Sequence, residues 1–171
     1  MGDQGASDYY LRQADRIKAV LNSFYRAEKA HLIPTINQVD GWKNKVSELD
    51  TASILAINYF SFDDVYSVDS LAAQNTAAQI VDVFRNLYKI NSDKPNLAPM
   101  IGRYSEDVYD GNGFSGGNPW YLTTHAMAEY LCRRDLSKER TSPHLKKIPF
   151  SGWQFLERSA SLADSKGHFS E

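Results

Sequence analysis

Residues 102–121 read Gly-Arg-Tyr-Ser-Glu-Asp-Val-Tyr-Asp-Gly-Asn-Gly-Phe-Ser-Gly-Gly-Asn-Pro-Trp-Tyr, the densest collection of binding groups in the chain. A cation (Arg103), three acids (Glu106, Asp107, Asp110) and aromatics at Tyr104, Tyr109, Trp120 and Tyr121 surround glycines 111, 113, 116 and 117. A guanidinium and carboxylates make charge-assisted hydrogen bonds to hydroxyls, and Trp and Tyr faces are flat platforms on which a pyranose ring can stack. Glycine permits positive φ and close approach of backbone to a ligand. The chemistry expected of this mixture is recognition of a neutral, hydroxyl-rich molecule rather than a phosphate.

Positions 111–116 also satisfy G-x-G-x-x-G, but a dinucleotide fingerprint needs a hydrophobic strand before it and a βαβ unit around it. Glu-Asp-Val-Tyr-Asp precedes it instead, too acidic and too short for that strand. The loop reads as feeding a helix, with Asn118 as cap, Pro119 in the first turn and no breaker until past Leu131.

At these residues the chain resembles the fungal and yeast glucoamylases, inverting glycoside hydrolases. Their G-R-Y-x-E-D-x-Y segment, glycine-rich loop and N-P-W-[FY]-L correspond to Gly102–Tyr109 and Asn118–Leu122. The sequence departs from that pattern at Ser105, where a proline is usual, and in a longer loop over 110–117. The resemblance implies that Arg103 hydrogen-bonds sugar hydroxyls near the scissile bond, with Tyr104, Glu106 and Asp107 as binding or orienting groups. Trp120 would face the pocket. The bland alternative for Arg103 is a salt bridge to Glu106 or Asp107 that only holds the loop.

Inverting hydrolysis needs an acid to protonate the departing oxygen and a carboxylate to activate water, roughly 6.5–9.5 Å apart. The family's base lies in G-x-[MLF]-[SA]-E, which Gly167 to Glu171 match, so the resemblance makes Glu171 the general base. On residue type alone, Glu171 reads as a solvated tail. Nothing in residues 1–48 resembles the segment holding the family's general acid, so this chain is expected to carry half of a catalytic pair and to be inactive by itself.

The chain has 171 residues, 42% hydrophobic and 12% aromatic, enough for one ordinary core. Nineteen basic against 21 acidic residues, neither in long blocks, lack the electrostatic footprint of a nucleic-acid binder. The most basic stretch, Arg133 and Arg134 to Arg140, Lys146 and Lys147, reads as a solvated helix end and loop. No apolar run is long enough to span a membrane, and the first residues have no signal-peptide h-region. Four histidines show no metal-ligand spacing and no cofactor is expected; the single Cys132 reads as a small buried side chain.

The elements that must position these groups read as helices. An amphipathic pattern runs over residues 7–28, a nearly uncharged stretch over 49–60, and another amphipathic pattern follows the caps Asp69 and Ser70 through Tyr88. A second uncharged helix starts at Trp120, and an amphipathic one covers 150–163 with Trp153, Leu156, Ala160 and Ala163 as its stripe. Asn91 to Pro99 reads as loop, and Trp42 as a loop aromatic that packs or, as the alternative, lines a cleft. Residues 32–36 are the main candidate for extended structure. Wet and buried helices alternate, as a double layer of helices requires.

The resemblance implies an all-α (α/α)6 toroid, a six-hairpin glycosidase, of which residues 1–171 supply about five helices as one partial catalytic domain. The inner helices would then bury their second faces against something outside the chain. The implied activity is release of glucose with inversion from terminal α-1,4 and α-1,6 bonds of starch, glycogen or malto-oligosaccharides. The implied parent is a secreted or vacuolar monomer that binds α-glucan and neither nucleic acid nor membrane. Alternatives are a related α-glycosidase (glucodextranase or trehalase) or a non-catalytic glucan-binding or regulatory domain.

Overall fold

The computed structural model describes residues 2–41, 43–60, 66–137 and 148–163. Six helices occur among these: α1 (Gln4–Leu21), α2 (Ala52–Phe60), α3 (Leu71–Leu87), the short α4 (Lys89–Ser92), α5 (Tyr121–Leu136) and α6 (Gly152–Ala160). A small antiparallel pair, β1 (Tyr25–Arg26) with β2 (His31–Leu32), interrupts the first connection.

The core is built where apolar stripes meet. α5 packs on α6 and α2, and α2 packs on α3, while β2 lies on α3. Ile54, Ile80, Phe84, Tyr130, Leu131 and Phe155 are each at most 1% exposed. Ser70 caps α3 through the Ala73 amide, and Ala73, Ala77, Ile80, Val81 and Phe84 are its buried face, as the periodicity predicts. Polar ties cross the same contacts: Asn58 donates to the Ala126 carbonyl at 2.8 Å, and the Leu32 amide to the Thr76 hydroxyl at 2.9 Å.

Several expectations are corrected. The first helix ends at Leu21 rather than running to residue 28, since Phe24 to Leu32 fold back as the hairpin, with Ala30 at φ 56° in its turn. None of α1's residues is buried: Leu11 and Ile17 are 62% and 63% exposed, because no described element covers that stripe. α2 is buried on one side only; Tyr59 and Phe60 are exposed on the other, because α3 and α5 meet a single face. The predicted 91–99 loop begins inside α4, whose Asn91 donates to the Phe84 and Met100 carbonyls and accepts from the Met100 amide.

α6 is rotated relative to its predicted stripe. Gly152, Phe155, Arg158 and Ser159 are buried, whereas Trp153 is 69% exposed. The cause is close packing at Gly152, where a Cβ would lie 2.4 Å from the Ala128 carbonyl oxygen and from the Cys132 sulfur. Arg158 then turns inward to donate to the Ile90 carbonyl at 2.9 Å. Cys132 is only half-buried.

Candidate functional site

Arg103 stands on an extended segment pinned to the start of α2. Thr51 donates from its amide to the Arg103 carbonyl (2.9 Å) and from its hydroxyl to the Gly102 carbonyl (2.8 Å), and Asp50 bridges to Tyr104. Two backbone levels are thereby fixed on either side of the guanidinium-bearing residue.

The guanidinium grips Asp107 with two donors, Nε at 2.6 Å and Nη2 at 2.7 Å. The Asp107 side chain is 0% exposed and also accepts from the Tyr109 amide at 3.1 Å, so its charge is compensated from two directions. The Arg103 side chain is 41% exposed. This grip uses two of a guanidinium's five donors and leaves three N–H groups that Asp107 does not engage. Hydrogen bonding to Asp107 pushes the Arg103 pKa up further, which keeps it cationic.

Three aromatic rings surround the cation. The Arg103 guanidinium carbon lies 5.4 Å from the Tyr109 centroid and 5.7 Å from those of Tyr104 and Trp120. Tyr109 and Trp120 stack at 5.8 Å with planes 16° apart. Burial, and next the Asp107 charge, raise the Tyr104 pKa, so that phenol stays neutral.

The remaining acids shape the loops. Glu106 accepts from the Ser47 amide (2.7 Å), the Ser47 hydroxyl (3.0 Å) and the Ser105 hydroxyl (2.9 Å). Burial acts to raise its pKa, but these donors outweigh it and the net direction is down. Lys45 pairs with Asp50 and sits 4.1 Å from the Tyr104 centroid. Asp110 gathers the amides of Asn112, Gly113 and Ser115, folding the glycine loop around one carboxylate.

The loop enters α5 later than predicted. Trp120, not Asn118, is the capping position, and it makes no side-chain cap bond. Backbone tethering decides this: the Trp120 amide donates to the Ile101 carbonyl (2.9 Å), and its own carbonyl receives the Thr124 amide and hydroxyl. Thr123 returns to the Ile101 carbonyl at 2.5 Å. A cavity of about 330 Å³ opens beside this entry, lined by Pro119, Trp120, Tyr121, Leu122 and the α6-side Leu162 among others. Trp120 is common to the cavity and to the Arg103 cluster.

Of the predicted site residues, Arg103, Tyr104, Asp107 and Trp120 form one cluster, while the Glu106 side chain turns to Ser47 and Ser105 beside it. Glu171 and the Gly167–Glu171 motif, Trp42, and Arg140, Lys146 and Lys147 lie outside the described residues. Sequence reading missed Lys45, Ser47, Asp50 and Thr51: Ser47 reaches Glu106 59 positions away and Thr51 reaches Gly102 51 positions away, while Lys45 and Asp50, paired with each other, meet Tyr104 across the fold. No local spacing signals such a pairing. Among the described residues no group of three or more His, Cys, Asp or Glu is placed to hold a metal, and no helix is long and apolar enough to cross a membrane.

Comparison with known proteins adds the family. Residues 1–160 match the family described as Glycosyl hydrolases family 15. The chain is 37% identical over 140 residues to a glucoamylase of Blastobotrys adeninivorans, covering 78% of this chain and 22% of that protein. It is 36% identical over 134 residues to glucoamylase 1 of Rhizopus oryzae, covering 77% and 22%. Among solved structures it aligns with the Saccharomycopsis fibuligera glucoamylase (TM-score 0.63, 24% identity, 74% of this chain and 27% of that one). It also aligns with the Hormoconis resinae glucoamylase (TM-score 0.60, 26% identity, 88% and 31%). These structures are (α/α)6 toroids, and the helix-rich chain has the fold of part of that ring. It spans about a fifth of the length of the curated relatives it matches. On the match over residues 1–160 and these identities, the chain belongs to glycosyl hydrolase family 15.

Proposed function

We propose that residues 1–171 are one partial catalytic domain of an inverting exo-α-glucosidase that releases glucose from α-1,4 and α-1,6 ends of starch, glycogen or malto-oligosaccharides. The observation that carries this reading is the Arg103 fork, held by a buried carboxylate and ringed by three aromatic faces. Fixed donors beside stacking platforms suit a pyranose, whose hydroxyls need directional partners and whose C–H face needs an apolar one.

In this reading Arg103 donates to sugar hydroxyls, Trp120 and the tyrosines bound the ring, and Asp107 holds the donor fork still. Glu106 acts through the Ser47 loop, because both its oxygens are engaged there. Glu171 is the base that takes a proton from water as it attacks the anomeric carbon. The acid that protonates the leaving oxygen belongs to the intact protein outside this chain, and inversion follows from attack on the opposite face. The intact protein would be a secreted or vacuolar monomer whose partner is α-glucan.

The test is Glu171→Gln in the intact protein, with turnover and malto-oligosaccharide binding measured separately. Turnover should vanish with binding nearly intact, and the wild type should release β-glucose first. Unchanged turnover removes Glu171 from its role. Robust glucose release by the 171-residue chain alone refutes the divided site.

A further inference from the structure

Tyr88 follows α3, its ring stacked on Phe84 at 5.5 Å and 14°, and the residue is 7% exposed. Its hydroxyl is buried and meets no hydrogen-bond partner among the described residues. A phenylalanine of the same shape would avoid that unfavourable burial, so the oxygen calls for a reason beyond packing.

Its position supplies one. A Cβ on Gly102 would lie 2.2 Å from the Tyr88 hydroxyl and 2.6 Å from a Phe84 ring carbon. A Cβ on Gly117, which has φ +76°, would lie 3.5 Å from the same hydroxyl and 2.3 Å from the Asp107 carbonyl oxygen. Gly102 immediately precedes Arg103, and Gly117 begins the run into Trp120. One phenol oxygen thus lies against both arms of the cluster: with the Phe84 ring it bars a side chain at Gly102, and it stands at ordinary contact distance from Gly117, where the Asp107 carbonyl and the positive φ already exclude one.

We propose that Tyr88 is a positioning residue of the sugar cradle: its hydroxyl, wedged under Gly102 and Gly117, sets the spacing between the Arg103 arm and the Trp120 arm without touching the sugar. The inference rests on the glucoside-binding reading of that cradle. Burial first, and the nearby Asp107 charge second, push the Tyr88 pKa up, so the wedge remains a neutral phenol. Loss of the oxygen lets the two arms settle toward each other, and the donors then no longer meet the hydroxyls of a stacked ring.

The experiment is Tyr88→Phe in the intact protein, read by maltose kinetics, thermal melting and hydrogen exchange of the Arg103 Nε proton without sugar. Expected are a KM raised about fivefold with kcat within about twofold, a melting temperature unchanged or higher, and faster Arg103 Nε exchange. Unchanged KM and exchange would overturn the proposal and leave a packing role. A parallel fall of kcat, affinity and melting temperature would overturn it too, as loss of fold. Wild-type protein with no affinity for malto-oligosaccharides would sink the sugar reading, while the Arg103 exchange would still decide whether Tyr88 holds the clamp.

Discussion

α1 and α3 are 18 and 17 residues long, both start at a side-chain cap, and both carry apolar residues at steps of three and four. α3 buries eight residues and anchors the core, whereas α1 buries none. An amphipathic pattern states that a face needs a partner; it does not state that the chain provides one. Among the described residues the difference lies in neighbours: α2, α4 and β2 close on α3, while α1 is tied at its end by the Tyr66 hydroxyl on the Leu21 carbonyl at 3.0 Å.

Substitutions can break this contrast. Ile80→Ala, at a fully buried position, should cost about 3 kcal/mol in denaturant unfolding of the chain. Leu11→Ala, at 62% exposure, should stay within about 0.5 kcal/mol. Near-equal costs would mean that α1 is packed after all. Gly152→Ala should cost on the order of 1–3 kcal/mol, since its methyl meets the Ala128 carbonyl and Cys132 at 2.4 Å. A neutral Gly152→Ala would show that the α5–α6 contact yields easily.

The caps extend the contrast to smaller effects. Ser70→Ala, which removes the bond to the Ala73 amide, should lower global stability by about 1 kcal/mol. Asp3→Ala should reduce helicity near residue 4 without moving the unfolding midpoint, because none of the α1 residues is buried in the core. Native-state hydrogen exchange would sharpen both, with α3 amides opening only globally and α1 amides locally.

The smallest effect concerns pH. The folded pKa of Glu106 lies below its ordinary 4.5, so its stabilisation is fully present above that value and lost as pH falls through the lower folded one. Thermal melting from pH 6 downward should therefore decline in that acid window, and Glu106→Gln should flatten this part of the decline. An identical acid profile in the variant would free Glu106 from the Ser47 tie.

Most helices were legible because period and caps lie within one stretch of sequence: Ser70, Ala73, Ala77, Ile80 and Phe84 announce α3 by themselves. Rotation and entry points were not. The buried face of α6 follows from the fit of Gly152 onto α5, and the start of α5 follows from Trp120 hydrogen-bonding to Ile101, both long-range events. Within the cluster, Arg103 and Asp107 stand four residues apart and were readable as a pair, one that the loop-holding and sugar-binding readings share. Ser47, Thr51 and Tyr88 gave no signal, since each matters only through a group it meets across the fold: the Glu106 carboxylate, the Gly102 carbonyl and the backbone at Gly102.

In the proposed reading, geometry and not charge alone makes Arg103 a sugar ligand. Arg103→Lys in the intact protein keeps the cation but loses the two-donor grip on Asp107. On that reading kcat/KM for maltose should fall about 100-fold with a near-wild-type melting temperature. A kcat/KM within about twofold of wild type would contradict it.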